Sequence, residues 1–496
     1  MLIGSIQSPE SEKHIAYLLL PEQYPPMTDQ SNILDKITSI VGEQNIVSEA
    51  TALEPYVTEW RGLWHGTCDM VVKPQTTSEV SQVLSICSEN NIPVVPQGGN
   101  TGLVGGGVPD GGIVISTERL DSIREIDPLN FTMTCEAGCI LSSIQNAAED
   151  SGRLFPLSLA AEGSCRIGGN LSTNAGGVQV LRYGNTRDLV LGLEVVLANG
   201  DIWDGLRGLR KDNTGYDLKH LFVGAEGTLG VITAATLKLY PLPRQKETAL
   251  IALGSDKNAI ELFTRVSAEA GEALSAFELM NRLSLDLSVA HVPDNRSPFS
   301  DPAPWYVLME LSSAQQGNNL RTALENVLER SFEDGTVTDA VLAESSSQAR
   351  DLWRIRESIP DSQASLGGSI KNDITIPLSG VIEFLGRAEQ VAESIIPGIR
   401  IVCFGHVGDG NLHYNLSQPE GMDKQAYLDR WHDITDVLND IVAELNGSFS
   451  AEHGIGQLKR RELATYRSEI EVGMMKTIKK ALDPKNIMNP GKLFME

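Results

Sequence analysis

Three of the eight histidines lie in two short motifs of the C-terminal third, and each motif also contains an acid. The first motif, GHVGDGNLHYN, carries His406 and His413, and the second, SAEHG, carries Glu452 and His453. Imidazole nitrogens and carboxylate oxygens are the ligands of catalytic zinc sites in proteins. The residue types and their spacing therefore predict metal chemistry in this part of the chain.

A tight turn within the first motif would bring its two histidines together. If residues 409–410, Asp-Gly, form a two-residue hairpin turn, His406 lies directly opposite His413, and Asn415 follows on the same face. The Cβ atoms of directly paired strand residues lie about 5 Å apart, so two imidazoles can bind one ion at about 2.1 Å each. With Glu452 as a third ligand, we expect a His2Glu site with open positions that holds Zn²⁺ or Mn²⁺.

The alternative for this region is a hairpin whose histidines pair only with each other or with Asp409, without a metal. The adjacent Glu452 and His453 favour the metal site, because they add a carboxylate and a further imidazole. A regular strand would point these neighbouring side chains to opposite faces. We therefore predict a bend or bulge at Gly454 that lets both side chains reach the centre.

Two glycine-rich loops in the first half of the chain indicate a bound cofactor. The first, PQGGNTGL, begins at Pro96 after a predicted strand, and the second consists of GSCRIGGN from Gly163 and TNAGG from Thr173. Such loops let backbone N–H groups converge on an anion without obstruction by Cβ atoms, although a single one is equally typical of a tight turn. Neither loop has the GxGxxG pattern or the lysine of a P-loop, which disfavours a nicotinamide-binding domain and a nucleotide triphosphatase.

Together with GAEGTLGVIT at residues 224–233, these loops resemble the FAD-binding domain of the vanillyl-alcohol-oxidase type. The resemblance implies an extended FAD whose pyrophosphate lies in the first loop and whose ribityl chain and isoalloxazine lie along the later segments.

Some members of that family attach the flavin through a histidine in the first loop, where this chain has Asn100, so we expect FAD to be bound non-covalently. The ending DPKNIMNPGK also resembles the family, which implies a cofactor contact for Asn489; an ordinary Asn-Pro turn is the alternative. The residues that the resemblance assigns to FAD binding are Pro96, Gly98, Gly99, Asn100, Thr101, Gly102, Gly163, Cys165, Gly168, Gly169, Asn170, Thr173, Asn174, Gly176, Gly177, Gly227, Ile232 and Asn489.

Within that family, the sequence from about Arg61 to Phe494 resembles the D-2-hydroxyglutarate dehydrogenases, including KDNTGYDL at residues 211–218 and SFSAEHG at residues 448–454. The resemblance implies oxidation of a D-2-hydroxy acid, with transfer of its C2 hydrogen to FAD as hydride. The roles that it implies are metal ligation by His406, His413 and Glu452, proton removal by His453, and substrate binding by Arg356, Lys371 and Asn415.

One departure from the family pattern bears on the choice of substrate. Where the glutarate-specific pattern has a threonine four residues after Arg356, this chain has Pro360, which donates no hydrogen bond. We expect D-2-hydroxyglutarate, oxidised to 2-oxoglutarate, and keep D-lactate and D-malate as alternative substrates.

Two alternatives of other classes are a metal-dependent hydrolase without flavin and a non-catalytic FAD-binding or scaffold protein. The family also implies an electron acceptor such as an electron-transfer flavoprotein, and a homodimer is left open.

The formal net charge of −25, from 40 basic and 65 acidic side chains, opposes binding to nucleic acid or to an anionic membrane surface. A carboxylate substrate therefore requires local positive charge, which Arg356, Lys371 and a divalent metal would supply; ordinary surface charge is the alternative for the two side chains. No apolar run approaches the roughly 20 residues of a membrane-spanning helix.

The six cysteines are scattered and form no C-x-x-C pair, which favours buried thiols in a reducing compartment over a disulfide framework. The first 26 residues include Glu10, Glu12 and Glu22 and lack the arginine-rich bias of a transit peptide. We therefore expect a cytoplasmic protein.

Hydrophobic periodicity predicts an α+β protein with two main domains. A strand, a helix and a strand at residues 70–72, 78–90 and 92–95 indicate an α/β beginning, and further strands are predicted at 112–116, 132–136, 189–197 and 230–239. After Pro-Leu-Pro at 241–243, a strand, a helix and a strand are predicted at 249–253, 257–270 and 305–311, and long helices at 424–445 and 470–482. The expected division is an N-terminal extension at 1–30, a FAD-binding domain at 31–243, a substrate and metal domain with an antiparallel sheet at 244–465, and a C-terminal helical segment at 466–496 that returns to the FAD-binding domain.

Overall fold

The computed structural model describes residues 30–315, 317 and 319–495. Except for Gln30, where the first helix begins, the expected N-terminal extension lies outside these residues. The described chain combines helices with three small sheets before residue 242 and one large antiparallel sheet after it. The α+β fold class is therefore confirmed.

The first half of the described chain contains eleven strands and seven helices. The strands are β1 (Ile46–Val47), β2 (Met70–Val72), β3 (Val94–Gln97), β4 (Ile113–Ser116), β5 (Ile123–Asp127), β6 (Thr132–Glu136), β7 (Arg153–Leu154), β8 (Val190–Leu197), β9 (Ile202–Asp204), β10 (Gly230–Lys238) and β11 (Tyr240–Pro241). The helices are α1 (Gln30–Val41), α2 (Ala50–Val57), α3 (Thr77–Asn90), α4 (Leu141–Asp150), α5 (Ile167–Thr173), α6 (Val180–Tyr183) and α7 (Lys219–Phe222).

A small, mostly parallel sheet places the first glycine-rich loop. Its order is β1-β2-β4-β3, and β2 and β3 both run parallel to β4. Parallel neighbours require a crossover, which α3 provides by packing its buried side chains, such as Val83 and Leu84, onto the sheet. The loop from Gly98 therefore leaves the carboxyl end of a parallel strand, where open α/β sheets bind their ligands. An antiparallel sheet of order β5-β6-β10-β8-β9 follows, and β7 pairs with β11.

The second half contains eight strands and ten helices in the described residues. The strands are β12 (Gln245–Leu253), β13 (Leu274–Asn281), β14 (Trp305–Ser313), β15 (Asp339–Leu342), β16 (Ser369–Ile370), β17 (Asp373–Thr375), β18 (Arg400–Gly405) and β19 (Asn411–Ser417). The helices are α8 (Asp256–Ala270), α9 (Arg282–His291), α10 (Leu320–Glu333), α11 (Ser346–Glu357), α12 (Ile359–Ser362), α13 (Val381–Ile395), α14 (Lys424–Leu428), α15 (Trp431–Glu444), α16 (Arg460–Tyr466) and α17 (Glu469–Leu482).

The large sheet has the order β15-β12-β14-β13-β18-β19-β16, and β17 also pairs with β19. Both faces are covered, so its central strands β13 and β14 are buried along almost their whole length rather than on alternate residues. Along β12, Ile251 packs against α8 and α10 on one face, while Leu250 packs against α9 and α11 on the other. This rigid sheet carries the histidine motif at the end of β18 and the start of β19.

Two elements differ from the sequence prediction for reasons of tertiary contact. The helix predicted at 424–445 is two helices, α14 and α15, because buried Tyr427 donates to Leu416 O at 2.8 Å and fixes α14 to β19. The strand predicted at 92–95 begins two residues later, because the N–H of Ile92 still closes the end of α3 on Cys87 O at 2.9 Å. Apolar periodicity alone cannot detect either contact.

The last segment contacts the first sheet. The N–H of Val94 donates to Ile487 O, and the N–H of Asn489 donates back to Val94 O, both at 2.7 Å. The Lys479 ammonium donates to Thr228 O and Met488 O at 2.8 and 2.7 Å.

None of the helices in the part of the chain that the structure describes has the length and apolar character needed to cross a bilayer.

Candidate metal and flavin site

The first histidine motif forms a five-residue connection, so the predicted two-residue hairpin is wrong. After β18, residues Val407–Asp409 make a single 3-10 turn before β19 begins. In this register His413 pairs with Phe404 and not with His406.

The register is set by contacts that a turn prediction does not contain. The second edge of β19 pairs with β17, which places Asp373 opposite His413. Gly410, with φ of 82°, lies so close to Ile376 that a Cβ atom would be 2.0 Å from the carbonyl oxygen of Ile376. The glycine at 410 therefore allows close packing rather than a tight hairpin.

The two imidazoles nevertheless face one carboxylate. The ring centres of His406 and His413 are 6.1 Å apart, at an interplanar angle of 87°. Nδ1 of His406 lies 3.5 Å from Oε1 of Glu452, and Nε2 of His413 lies 3.9 Å from Oε2 of Glu452. Ligand atoms that bind one ion tetrahedrally at about 2.1 Å lie about 3.4 Å apart. The two contacts with Glu452 are close to that spacing, but the ligand atoms of the three side chains do not all lie within 4.8 Å of one another, so a shared ion requires the side chains to draw closer together.

A buried carboxylate lies behind each imidazole. Nε2 of His406 lies 3.6 Å from Oε1 of Glu278, and Nδ1 of His413 lies 3.9 Å from Oδ1 of Asp373. Glu278 and Asp373 are 0% and 2% exposed. Metal-binding imidazoles usually have such a partner on the second nitrogen, because it orients the ring and raises the basicity of the ligand atom. The donor set therefore fits a divalent ion.

A second grouping of possible ligands shares His413. Ligand atoms of Asp373, His413 and His453 lie within 4.8 Å of one another. However, Oδ2 of Asp373 accepts the N–H groups of Glu452 and His453 at 2.9 and 3.0 Å, and its Oδ1 accepts Nδ2 of Asn411 at 3.1 Å. Because both oxygens are already used, Asp373 suits a positioning role better than metal ligation.

The same bonds bend the second motif. Two successive amides turn toward one Asp373 oxygen, and Gly454 follows with φ of 80°. The bend predicted at Gly454 is confirmed. Nδ1 of His453 lies 3.5 Å from Oδ2 of Asp373, and the His453 ring is 6.0 Å from that of His413. Glu452 and His453 thus reach the same cluster.

Burial controls the charge of the cluster. Burial lowers the pKa of His453 and of His413, against the opposing charge of Asp373. Burial raises the pKa of Glu452 to about 7 in the absence of an ion. Burial also opposes ionisation of Asp373, but the neighbouring cationic groups, including Lys459, hold its pKa below the usual range. A neutral imidazole at His453 is the form that can accept a proton.

Arg356 lies beside the cluster and is paired within the protein. Its Nε donates to Oε2 of Glu278 at 2.6 Å, and its guanidinium lies 4.7 Å from the ring centre of Phe404. Glu278 therefore contacts both Arg356 and His406. The arginine is 6% exposed, which excludes ordinary surface charge as its role.

Lys371 and Asn415 both contact the side-chain amide of Gln363. Both donate to Oε1 of Gln363, from Lys371 Nζ at 3.3 Å and from Asn415 Nδ2 at 3.1 Å. Burial and the nearby charge of Arg61 lower the pKa of Lys371 to about 8. The structure thus brings together the sequence-predicted residues on two sides: Arg356 beside His406, and Lys371 beside Asn415.

The glycine-rich segments pack on one another. A Cβ atom at Gly99 would lie 2.3 Å from the carbonyl oxygen of Ser164, so the first loop touches the second. Gly227, with φ of 72°, packs on Pro96, where a Cβ atom would lie 3.2 Å from Cγ. The three segments therefore form one continuous surface.

That surface touches the histidine cluster at Gly176. A Cβ atom at this position would lie 2.8 Å from Oε1 of Glu452. The second loop thus passes directly beside a carboxylate that also faces His406 and His413. Any cofactor along this loop would lie next to the cluster.

Several loop positions leave room for a cofactor. A Cβ atom at Gly102, Gly163 or Gly169 would meet nothing within 4 Å. Oδ1 of Asn170, a residue only 6% exposed, has no hydrogen-bond partner among the described residues. Open backbone and an unused buried acceptor are what a long, polar ligand requires, so these residues fit FAD.

The remaining residues assigned to FAD make contacts within the protein. Asn100 has φ of 51°, and its Nδ2 donates to Pro55 O and Thr58 O, both at 2.9 Å. Other internal contacts are Gly98 with Arg166, Gly168 with Ala137, Gly177 with Ser158, Thr173 with Gly169, and Asn174 with Arg187, while Cys165 and Ile232 are buried and Thr101 is half-buried.

Glu226 and Asn489 connect the loops with the second histidine motif. The buried Glu226 carboxylate accepts the N–H groups of Ile455 and Gly456, both at 2.7 Å. Nδ2 of Asn489 donates to Glu226 O at 2.7 Å and to Gly106 O at 3.0 Å. The segment after His453 is therefore fixed directly to the glycine-rich surface.

Sequence reasoning missed four residues of this site: Glu278, Asp373, Gln363 and Glu226. A charge inside the apolar strand LSAFELMN was an available signal for Glu278, since buried acids are rare unless paired. Glu226 lies in the segment 224–233 that resembles the FAD-binding domain, but the resemblance assigns roles there only to Gly227 and Ile232. Asp373 and Gln363 belong to no spacing pattern, and only the fold reveals their contacts.

Two family models match the chain. The model described as "FAD linked oxidases, C-terminal domain" matches residues 242–493, and that described as "FAD binding domain" matches residues 68–205. The flavin-free hydrolase and the scaffold protein are thereby excluded as interpretations, because the family consists of FAD-dependent oxidoreductases.

The chain is similar to curated proteins over nearly its full length. It is 40% identical over 460 residues to the D-2-hydroxyglutarate dehydrogenase, mitochondrial, of Arabidopsis thaliana, covering 92% of this chain and 80% of that protein. It is 37% identical over 447 residues to the protein of the same name from Danio rerio, covering 90% of this chain and 82% of that protein. These relatives are named mitochondrial, so the expected cytoplasmic location is wrong. Free cysteines favour a reducing compartment but do not distinguish one reducing compartment from another.

A solved structure shows the same fold. The chain matches p-cresol methylhydroxylase with substrate bound at a TM-score of 0.77 and 17% identity, covering 94% of this chain and 97% of that one. The FAD-binding part thus has the vanillyl-alcohol-oxidase type of fold. The chain belongs to the FAD-dependent D-2-hydroxyglutarate dehydrogenase family of the FAD-linked oxidases.

Proposed function

We propose that this chain oxidises D-2-hydroxyglutarate to 2-oxoglutarate, with non-covalently bound FAD and a divalent ion, Zn²⁺ or Mn²⁺, held by His406, His413 and Glu452. The observation that carries the proposal is the arrangement of the two imidazoles, each with one nitrogen toward Glu452 and the other toward a buried carboxylate. The names of the similar proteins support the choice of substrate.

The cofactors supply the chemistry that side chains cannot. FAD, when bound, accepts the C2 hydrogen of the substrate as hydride. A divalent ion, when bound, lowers the pKa of the substrate hydroxyl. The residues that would hold FAD are the open glycines 102, 163 and 169, with Asn170 and the segments that pack beside them.

The side chains of the protein bind and deprotonate the substrate. Neutral His453 removes the hydroxyl proton, and Asp373 holds its ring through the contact with Nδ1. Arg356 and Lys371 supply positive charge for carboxylates in a chain of net charge −25. Asn415 adds an amide next to Lys371.

D-Lactate and D-malate are second candidate substrates because of Pro360. This residue is the second of the short helix α12, four positions after Arg356, and offers neither an N–H nor a hydroxyl group. A panel of D-2-hydroxy acids added anaerobically to the yellow holoenzyme tests the proposal. D-2-Hydroxyglutarate should bleach the flavin fastest. If only D-lactate bleaches the flavin, D-2-hydroxyglutarate is rejected as the substrate.

The reduced flavin also needs an electron acceptor. We propose an electron-transfer flavoprotein or another soluble carrier, since no second redox centre is present in the described residues. A homodimer stays open as the assembly state. The rate of flavin reoxidation by an added electron-transfer flavoprotein tests the proposed acceptor. Light scattering measures whether the protein is a homodimer.

Loss of charge at Lys371 should weaken substrate binding in alkaline solution. The ammonium is charged below its pKa of about 8 and neutral above it, so kcat/KM for a dicarboxylate should fall as pH rises through about 8. Lys371→Arg keeps its charge over this range and should remove the fall, whatever its absolute rate. An identical alkaline limb in both proteins would assign the titration to another group.

Replacement of Asp373 by asparagine should weaken metal binding by about 10- to 100-fold, because His413 loses its charged partner. Chelator competition measures the affinity. The control is Asp423→Asn, which retains the cap of α14 because asparagine also caps helices. An affinity within about twofold of wild type would show that Asp373 does not support the metal site.

A further inference from the structure

We infer that Gln363 is a positioning residue that makes the site selective for dicarboxylic acids, by holding Lys371 and Asn415 as paired donors for the second carboxylate of the substrate. The inference rests on the proposed function and names the substrate class within it. No motif in the sequence indicates this residue, which lies in the turn Gln363–Leu366 directly after α12.

All polar atoms of the Gln363 side chain are used. Its Oε1 accepts Lys371 Nζ at 3.3 Å and Asn415 Nδ2 at 3.1 Å. Its Nε2 donates to the hydroxyls of Ser369 and Ser417 at 2.9 and 3.0 Å. The residue is 1% exposed, so water cannot replace these partners.

The orientation of the amide follows from the chemistry of its partners. An ammonium group has only donors, so the oxygen and not the nitrogen of Gln363 must face Lys371. Ser369 and Ser417 are paired across β16 and β19, which gives Nε2 a fixed pair of acceptors. Asn415 must then present Nδ2 to Gln363. One buried amide therefore sets the positions of both donors.

A neutral partner leaves the positive charge of Lys371 available. Among the described residues, no carboxylate lies within ion-pair distance of its Nζ, whereas Arg356 is paired with Glu278 at 2.6 Å. The ammonium has three donors, and its contact with Gln363 uses one. A carboxylate from a ligand can supply both the missing charge and the missing acceptors.

The two cationic side chains offer one position for each carboxylate of a dicarboxylic acid, since the charge of Arg356 acts on His413 and that of Lys371 acts on His453. The C1 carboxylate belongs near the proposed metal and Arg356, where the reacting hydroxyl is also held. A second carboxylate can then reach Lys371 and Asn415. Pro360, three residues before Gln363, contributes no donor, so recognition on this side depends on the pair that Gln363 holds. D-Lactate lacks a group for this position.

Gln363→Glu tests the inference with little change in shape. Glutamate keeps an oxygen facing Lys371 and Asn415, and its second oxygen can accept from the two serine hydroxyls, which rotate freely. The added negative charge neutralises Lys371 and repels a carboxylate. The matched control is Gln418→Glu. Gln418 contacts Gly368 N at 2.6 Å and Met422 O at 2.8 Å in the same region, but neither Lys371 nor Asn415.

The measurement uses ligands that cannot be oxidised. Dissociation constants of glutarate and pentanoate, a matched pair with two and one carboxylates, are obtained from the change in flavin absorbance of the holoenzyme. Wild type and Gln418→Glu should bind glutarate at least tenfold more tightly than pentanoate. Gln363→Glu should weaken glutarate by at least tenfold and pentanoate by less than threefold. Gln363→Leu, which releases both donors without adding charge, should weaken glutarate by a smaller factor.

The outcomes separate this inference from the proposed function. Equal binding of glutarate and pentanoate by wild type, or no selective loss in Gln363→Glu, overturns the inference even if D-2-hydroxyglutarate is oxidised. Selective loss of glutarate in Gln363→Glu supports it even if D-2-hydroxyglutarate fails to bleach the flavin, in which case only the proposed reaction is rejected.

Discussion

His453→Ala should lose turnover by about 100- to 10,000-fold while keeping its FAD and its metal. Burial lowers the pKa of His453, whose Nδ1 contacts Asp373, and unlike His413 this imidazole is not assigned to the metal, so it can accept a proton. Alanine removes that acceptor and leaves His406, His413 and Glu452 in place. The measurement is the rate of anaerobic flavin reduction by D-2-hydroxyglutarate, with flavin and metal content determined on the same sample.

The control for this variant is His291→Ala. His291 is the exposed last residue of α9 and belongs to neither histidine motif. Its loss should leave the reduction rate unchanged. A wild-type rate in His453→Ala would assign proton removal to another group and remove the central step of the proposed reaction.

Glu452→Gln should release the metal and, with it, the activity. The carboxylate faces both imidazoles, and an amide offers only a weak neutral oxygen in its place. The loss of affinity should exceed the roughly 100-fold upper end found for residues that merely support a ligand. Elemental analysis after dialysis measures the metal, and the flavin spectrum reports whether FAD remains bound.

Asp436→Asn provides the comparison for metal content. Among the described residues, two groups have ligand atoms that all lie within 4.8 Å of one another: Asp373 with His413 and His453, and Asp436 with His432 and Glu462. In the second group, Arg461 donates to both oxygens of Asp436. Because a cation already fills this group, the variant should retain one metal per chain. Metal loss from Asp436→Asn together with retention in Glu452→Gln would place the ion in the wrong cluster for the proposed reaction.

The main elements of the fold follow from local patterns. The strand at 132–136 coincides with its prediction, and the helix predicted at 257–270 begins one residue earlier, at Asp256, because Ser255 caps it. Both have the apolar spacing of their class and clear end signals. Where prediction failed, as at the break between α14 and α15, a contact with a distant strand decides the structure.

The residues of the site also divide into those that local sequence patterns reveal and those that only distant contacts reveal. His406, His413, Glu452 and His453 could be singled out because rare residue types lie close together in two motifs. The hairpin drawn for the first motif was wrong, since the pairing of β19 with β17 sets the register. The two histidines still face Glu452, through a longer turn.

The residues that orient these groups could not be predicted from spacing. Glu278 lies 128 residues before His406, and Asp373 lies 79 residues before Glu452 and contacts its backbone. Contacts over such separations depend on the order of strands in the large sheet, which places β13 beside β18 and β17 beside β19. Only a three-dimensional arrangement reveals them.

Anomalous diffraction at the absorption edge of the bound metal tests the central claim most directly. Crystals of the holoenzyme, loaded with Zn²⁺ or Mn²⁺, should show one peak bounded by Nδ1 of His406, Nε2 of His413 and the carboxylate of Glu452, beside the flavin. A peak between Asp373, His413 and His453, a peak at His432 and Asp436, or no peak in a fully active crystal would contradict the proposed site.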